Sequence, residues 1–244
     1  MCSAGASVKK ASADYSAVLE IEQIEEELIP RYYINAYSFP KLYTIHQGQS
    51  KHLSTAHWGL IPSFVKDWES ANTYKTQTIN AKAETVFEKV SFKKAIYDNR
   101  CIILLDGFFE YQHHLKEKNP YYIYPSDDSF FMLGGICENW TNNETGEILI
   151  TCSIITTTAN SLMSEIHNSK KRMPLIFDKK NASKWLENDL NKEDINCLMQ
   201  PYPDEQMRAH RINKSLISPK NTDIQNPAII LPHTDNIGKQ SSLF

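Results

Sequence analysis

The cysteine at the second position has the most distinctive chemistry in this sequence. When Met1 is removed, Cys2 becomes the first residue, and its α-amine and thiol form a 1,2-aminothiol. The reference pKa values of these groups, about 7.7–8.0 and about 8.5, leave both partly deprotonated near neutrality. An aldehyde can condense with the amine to an imine, which the thiol captures as a five-membered thiazolidine ring. The alternative is a cysteine without function in a frayed terminus.

Two further residues could move protons. Glu110 lies in DGFFEYQH, directly after an apolar run, and apolar surroundings would favour its neutral form. His167 lies in EIHNSKKRMPLIF, and an imidazole can assist ring opening or imine chemistry at neutral pH. A glutamate at a strand end can also point to solvent, and most single histidines take no part in catalysis. Both interpretations stay open for each residue.

Basic residues near these positions could contact phosphates. Lys82 follows Asn80 in INAKAET, and Lys170, Lys171 and Arg172 form a cluster just after the histidine. Such a cluster could hold a nucleic-acid backbone beside a reactive site, or it could be a solvated loop. Asn80 could take part in the site or could only cap a helix.

Aromatic residues offer a second kind of contact. Trp58, Phe64 and Trp68 could stack on unpaired bases of a single strand, although isolated aromatic residues more often belong to the core.

The elements that must position these residues are mostly short strands. Apolar runs bounded by turn-forming residues predict strands at 100–105, 121–124, 130–136, 148–155 and 174–177, with a hairpin-like turn at 142–146. Helical spacing predicts helices at 15–30, 81–94, 159–166 and 182–190. Because strands dominate and the helices do not alternate with them, we expect an α+β fold with a curled, largely antiparallel sheet core flanked by helices.

Composition narrows the class of protein. The 244 residues, 41% of them hydrophobic, predict one globular domain over 1–232 and a loosely ordered tail at 233–244. Five widely spaced cysteines without a CxxC pair indicate neither a disulfide framework nor a zinc site, so no metal or organic cofactor is expected. No apolar stretch of about 18 residues and no signal peptide is seen, which predicts a cytoplasmic protein. A net charge of −3 implies that any contact with DNA is local.

Several segments, in this order, resemble the SRAP family, the SOS response-associated peptidases. They are MC at the start, HWGLIPSF, INAKAETV, RCIILLDGFFEYQ, ITTTAN, IHNSKKRMPLIF and HRINKSLISPKN, and they extend from residue 2 to about residue 231. An ordered set of this kind is much more specific than any one of its motifs. The resemblance implies a single domain of the SRAP fold.

The resemblance also implies roles for individual residues. Cys2 would form a thiazolidine link to the ring-opened sugar aldehyde of an abasic site in single-stranded DNA. Asn80 would position the aminothiol or the sugar. Glu110 would orient the amine and shuttle protons during imine formation. His167 would favour ring opening and reversal of the link.

The resemblance extends to contacts with DNA. Lys82 stands where the family has arginine, so it keeps a charge for a phosphate but loses the bidentate fork. Phe64 occupies the aromatic position after WGLIP where tryptophan is common, and Pro40 falls near a proline that lines the DNA channel. The loop from Lys170 to Arg172 would supply further phosphate contacts.

Two features depart from the family pattern. The family commonly begins MCGR, whereas Ser3 follows the cysteine here, so a phosphate contact is missing and Lys9, Lys10 or the 170–172 loop would replace it. Extra residues also separate His167 from Arg172 compared with the shorter HDRMP spacing.

We therefore expect a monomeric enzyme, associated with the nucleoid when bound to DNA, that crosslinks to abasic sites and shields them during the response to DNA damage. Two alternatives remain. One is an N-terminal-nucleophile cysteine peptidase, autoproteolytic, in which Glu110 and His167 serve acyl transfer. The other is a module that binds single-stranded DNA without a covalent bond.

Overall fold

The computed structural model describes residues 5–115, 117–217 and 224–233, so Cys2 and nearly all of the predicted tail lie outside the described residues. The strands are β1 (Gly5–Val8), β2 (Gln23–Ile24), β3 (Arg31–Asn35), β4 (Lys41–His46), β5 (His52–Trp58), β6 (Asn80–Lys82), β7 (Arg100–Leu105), β8 (Gly107–His114), β9 (Glu117–Pro125), β10 (Phe131–Thr141), β11 (Ile148–Thr158), β12 (Arg172–Pro174), β13 (Ile176–Phe177) and β14 (Met207–Arg211). The helices are α1 (Ser12–Leu19), α2 (Trp68–Gln77), α3 (Ala95–Asp98), α4 (Ser161–Ile166), α5 (Lys179–Trp185) and α6 (Lys192–Leu198).

Five strands close into a barrel. β11, β10, β7, β4 and β5 are neighbours in that order, and β11 pairs back with β5 in parallel, where Thr151 lies opposite His57 and Cys152 opposite Trp58. All the other pairs in this ring are antiparallel. The short strands β2, β6, β12 and β13 add to the outside of the ring. The predicted α+β class with a curled, largely antiparallel core is confirmed.

A second sheet contains β1, the first strand of the chain. Its strand order is β14-β9-β8-β1-β3, and β1 lies between β8 and β3. Gly5, the first described residue, stands opposite Phe109 on one side and Asn35 on the other. A Cβ at Gly5 would lie 3.3 Å from atoms of both Phe109 and Tyr33, so the backbone here is closely packed. The start of β1 is therefore fixed beside Glu110.

Asp106 anchors this segment at the junction of the two sheets. The residue links β7 to β8 and is 1% exposed. Its carboxylate accepts hydrogen bonds from the backbone N–H of Lys9 and Lys10, from the Lys10 ammonium at 2.9 Å, and from the Tyr15 hydroxyl at 2.8 Å. A buried carboxylate is tolerated only when it is paired in this way. The four bonds hold the chain that follows β1 in one register against β8.

Gly59 brings α2 against the barrel. Its φ is +132°, and a Cβ there would lie 2.5 Å from the carbonyl oxygen of Lys75 in α2. Only glycine permits that backbone conformation and that approach. The contact places the end of α2 beside the barrel, where the chain continues into β6.

The predicted helix at 81–94 is wrong. Residues 80–82 form β6, which pairs in parallel with β11 so that Ala81 lies opposite Ile155, and turns follow as far as α3. Ala81 and Val86 are fully buried. Burial against the barrel and backbone pairing outweigh the helical propensity of this alanine- and lysine-containing segment. Asn80 is accordingly a strand residue and not a helix cap.

The predicted helix at 15–30 is also wrong in its second half. α1 ends at Leu19 because Glu20 adopts a left-handed conformation with φ 56°. The chain then forms β2, where Gln23 and Ile24 pair in parallel with β5. Four of the five predicted strands, the turn at 142–146 and the helix at 159–166 are found with small shifts. The strand predicted at 174–177 is divided between the end of β12 and β13, and the helix at 182–190 is displaced to α5. No helix in the described part of the chain is long and apolar enough to cross a membrane.

Candidate active site and nucleic-acid groove

Glu110 and His167 lie next to each other inside the protein. Glu110 comes from β8 and His167 follows the last residue of α4. Both are 3% exposed, and the Nδ1 atom of His167 is 3.6 Å from the Oε2 atom of Glu110. The other carboxylate oxygen of Glu110 accepts the N–H of Tyr111 at 2.9 Å. The two residues that the sequence singled out for proton transfer are thus brought together.

The protonation of His167 follows from its partners. Its Nδ1 is 3.0 Å from the carbonyl oxygen of Arg172, which can only accept a hydrogen bond. Nδ1 therefore carries a proton. Burial lowers the pKa of His167 below its ordinary value and outweighs the opposite effect of the Arg172 carbonyl. Near neutral pH the ring is uncharged, with Nε2 as its basic nitrogen.

The extra residues after His167 form a turn. The carbonyl of His167 accepts the N–H of Lys170 at 3.3 Å and of Lys171 at 2.8 Å, and Lys171 is left-handed with φ 50°. The chain returns at Arg172, which starts β12 opposite Thr158. The insertion is looped out, and Arg172 is kept beside the histidine.

The side chain of Arg172 points into a groove. Its guanidinium forms an ion pair with Glu84 and donates to the carbonyl oxygen of Thr156 at 2.5 Å and to its hydroxyl at 3.1 Å. Since Glu84 offsets the charge of Arg172, the free positive charge of the groove comes from its lysines.

The groove has a volume of about 680 Å³, within the range of ligand sites. Its basic side chains come from β6, the turn before α3, the turn after His167 and the start of β12. It is lined by Gln77, Asn80, Lys82, Thr85, Lys89, Phe92, Thr156, Lys170 and Arg172. Four of the predicted site residues, Asn80, Lys82, Lys170 and Arg172, therefore share one groove, and Arg172 links it to the Glu110–His167 pair.

Other predicted contacts fall elsewhere. Trp58 is 1% exposed and its indole N–H donates to the Ile79 carbonyl at 2.9 Å, while Pro40 is buried and accepts the N–H of Trp58. Both residues are buried, so this structure does not present their rings to a DNA strand. Phe64 is 45% exposed and packs edge-on against Tyr74 of α2, so its ring is accessible.

The lysines proposed as substitutes for the missing arginine differ from one another. The Lys10 ammonium donates hydrogen bonds to the Asp106 carboxylate and to the carbonyls of Asp128 and Ser129, so its role is structural. Lys171 is exposed on the turn and does not line the groove.

Sequence reasoning missed several lining residues. Lys89 and Phe92 were assigned to the helix that does not form, and Thr156 belongs to the ITTTAN motif, for which no role was inferred. Lys89 lies seven residues after Lys82, a spacing that gave no signal because the intervening turns are irregular.

Within the described ranges, no three His, Cys, Asp or Glu side chains are grouped as a metal site requires.

The family description "SOS response associated peptidase (SRAP)" matches residues 1–219. Abasic site processing protein YoqW of Bacillus subtilis (strain 168) is 38% identical over 191 residues, which are 78% of this chain and 80% of that protein. Abasic site processing protein HMCES of Xenopus tropicalis is 33% identical over 155 residues, 55% of this chain and 45% of that protein.

Two crystal structures are similar. A protein from Bacteroides thetaiotaomicron has 33% sequence identity and a TM-score of 0.86, covering 94% of this chain and 99% of that chain. A protein from Bordetella bronchiseptica has 21% identity and a TM-score of 0.72, covering 86% of this chain and 99% of that chain, and this likeness concerns the fold alone.

Proposed function

The chain belongs to the SRAP family, and we propose that it processes abasic sites by forming a thiazolidine crosslink between Cys2 and the ring-opened sugar of an abasic nucleotide in single-stranded DNA. The observation that carries this proposal is the buried Glu110–His167 pair, with 3.6 Å between its side chains, beside the start of β1. The proposal requires Cys2 to be the first residue of the mature chain.

The length of the chain before β1 permits Cys2 to reach the pair. Cys2 precedes Gly5 by three residues, and three residues span at most about 10–11 Å. Gly5 is paired with Phe109, the neighbour of Glu110. This distance allows the Cys2 aminothiol to approach two groups that can exchange protons.

Formation of the thiazolidine requires no oxidant or reductant. The Cys2 amine adds to the sugar aldehyde, and loss of one water gives the imine. The thiol sulfur then bonds to the imine carbon while its proton passes to the nitrogen, which closes the ring. Neutral His167 can accept the proton released as the sugar opens, and the Glu110 carboxyl can carry protons to and from the reacting nitrogen and water.

The groove supplies the specificity for DNA. Lys82, Lys89 and Lys170 line it from three separate segments, so a strand lying in it has phosphates near several ammonium groups. The exposed ring of Phe64 offers a face for an unpaired base. Such local contacts suit a protein with a net charge of −3.

The direct test is incubation of the purified protein with a single-stranded oligonucleotide that carries one abasic site. We expect a species that survives denaturing electrophoresis, with an intact mass equal to protein plus DNA minus one water. The same oligonucleotide without the lesion is the control. Absence of the species, with an N-terminal Cys2 verified by mass, would overturn the proposal.

The rate of adduct formation should depend on pH in two stages. Protonation of the Cys2 amine lowers the rate below about pH 7.7–8.0. Because burial holds the pKa of His167 below its ordinary value of 6.5, that ring stays neutral until the pH falls further. We expect the slope of log rate against pH to steepen from about one to about two below pH 6.5. A His167→Gln variant should react more slowly and keep the slope of about one; steepening that persisted in this variant would assign it to another group.

The family description suggests peptidase activity, which can be distinguished from crosslinking by counting turnovers. A peptidase would release many product molecules per enzyme from a peptide substrate, whereas the crosslinking reaction stops at one DNA per protein. Peptide turnover that depended on Cys2, without any DNA adduct, would replace the present proposal.

A further inference from the structure

The side chain of Asn168 joins the two segments that carry Glu110 and His167. Its Oδ1 accepts the backbone N–H of His113 at 3.1 Å, and its Nδ2 donates to the carbonyl oxygen of His113 at 2.8 Å. The carboxamide therefore pairs with β8 as an additional strand residue would. Asn168 is exposed and directly follows His167.

A second contact lies beside the first. The Nε2 atom of Gln112 in β8 donates to the carbonyl oxygen of Glu165 in α4 at 3.1 Å. Because α4 is a helix, it has no backbone ladder with β8, and these hydrogen bonds connect α4 and the turn after it directly to the backbone and side chains of β8. His113 is three residues beyond Glu110, about 10 Å along the strand. The Asn168 contact thus fixes the hairpin of β8 and β9 close to the Glu110–His167 pair.

We propose that Asn168 is a positioning residue that holds Glu110 and His167 at the separation needed for adduct formation; this rests on the proposed function. Asn168 is the first of the looped-out residues between His167 and Arg172. The insertion consequently does more than lengthen a loop, because its first residue ties the histidine segment to the glutamate strand.

The chemistry of the side chain makes the proposal specific. Asparagine supplies one donor and one acceptor, and the structure uses both on a single residue of β8. Aspartate would keep the acceptor for the His113 N–H and place a second oxygen against the His113 carbonyl. Alanine would remove both bonds. Since the site is exposed, neither change should unfold the protein.

The test measures the rate of adduct formation at saturating abasic DNA separately from affinity. Affinity is measured by fluorescence anisotropy with a stable tetrahydrofuran analogue, which cannot form the adduct. For Asn168→Ala we expect the saturating rate to fall roughly tenfold, as small displacements of reacting groups do. The dissociation constant should stay within about twofold of wild type. Asn168→Asp should have an intermediate rate.

Asn181→Ala is the matched control, because the Asn181 carboxamide also makes a surface hydrogen bond, to Asp178 at 3.3 Å, but in α5. It should react at the wild-type rate. A wild-type rate for Asn168→Ala would overturn the positioning role, and so would a loss accompanied by weaker affinity or a lower melting temperature. Failure of the wild-type protein itself to form an adduct would count against the proposed function instead.

Discussion

Replacing Cys2 with alanine should abolish the denaturation-resistant complex with abasic DNA. Alanine keeps the α-amine but has no thiol, so the imine can form and cannot close to a thiazolidine. Borohydride reduction during the reaction should therefore still trap the Cys2→Ala variant on DNA, whereas without borohydride no complex survives denaturation. Gel analysis and intact mass, with and without reductant, distinguish the two linkages.

Cys197 provides the control for this result. It is exposed, as a reactive surface thiol would be, but lies in α6. Cys197→Ala should crosslink at the wild-type rate. If Cys2→Ala formed a stable complex without reductant, another nucleophile would carry the reaction and the aminothiol mechanism would be wrong.

Glu110→Gln should lower the saturating rate of adduct formation by roughly a hundredfold or more, the usual range for loss of a general acid–base group. Glutamine has nearly the same shape and can still accept the Tyr111 N–H through its carbonyl oxygen, but it cannot take up and release a proton. The dissociation constant for the tetrahydrofuran analogue should stay within about twofold of wild type. Single-turnover kinetics at saturating DNA measure the effect.

Glu138 is a matched buried glutamate. It is 9% exposed in β10, and burial raises its pKa. Glu138→Gln should leave the rate unchanged. Equal losses in both variants would mean that removal of any buried carboxyl disturbs the fold, and a wild-type rate in Glu110→Gln would exclude proton transfer by this residue.

The sequence predicts well the positions of residues that lie at the ends of strongly apolar strands. Glu110 follows the run 100–105, which forms β7 as predicted, and the short connection at Asp106 leaves little freedom in where the glutamate falls. The hydrophobic pattern fixes the strand, and the strand fixes the residue. His167 was located in the same way by the helix before it and the PLIF strand after it.

The sequence could not indicate contacts made between distant segments. Asn168 meets His113, and Asp106 meets Lys10, across 55 and 96 positions. Nothing local distinguishes such side chains from ordinary surface residues. The segment 81–94 shows that distant contacts can also override a local preference. Its composition favours a helix, but Asn80 and Ala81 pair with β11 of the barrel instead.

The aromatic residues show a further limit. Trp58 and Phe64 belong to the same motif, and the sequence predicts base stacking for both, yet Trp58 is buried and Phe64 is 45% exposed. Trp58 is the last residue of β5, whereas Phe64 lies in the loop between β5 and α2. Aromatic composition alone cannot tell a base-stacking ring from a core ring.

Both sheets pair strands that are far apart in the sequence, and this affects the order of folding during synthesis. β5 pairs with β11, which lies more than ninety residues later, and β1 pairs with β8 about a hundred residues later. At roughly 5–20 residues per second, several seconds pass between the synthesis of β1 and that of β8. Contacts of such long range also slow folding itself. The edge of β1 that pairs with β8 therefore stays unpaired during this interval, whereas β3, the partner of its other edge, is synthesised much earlier.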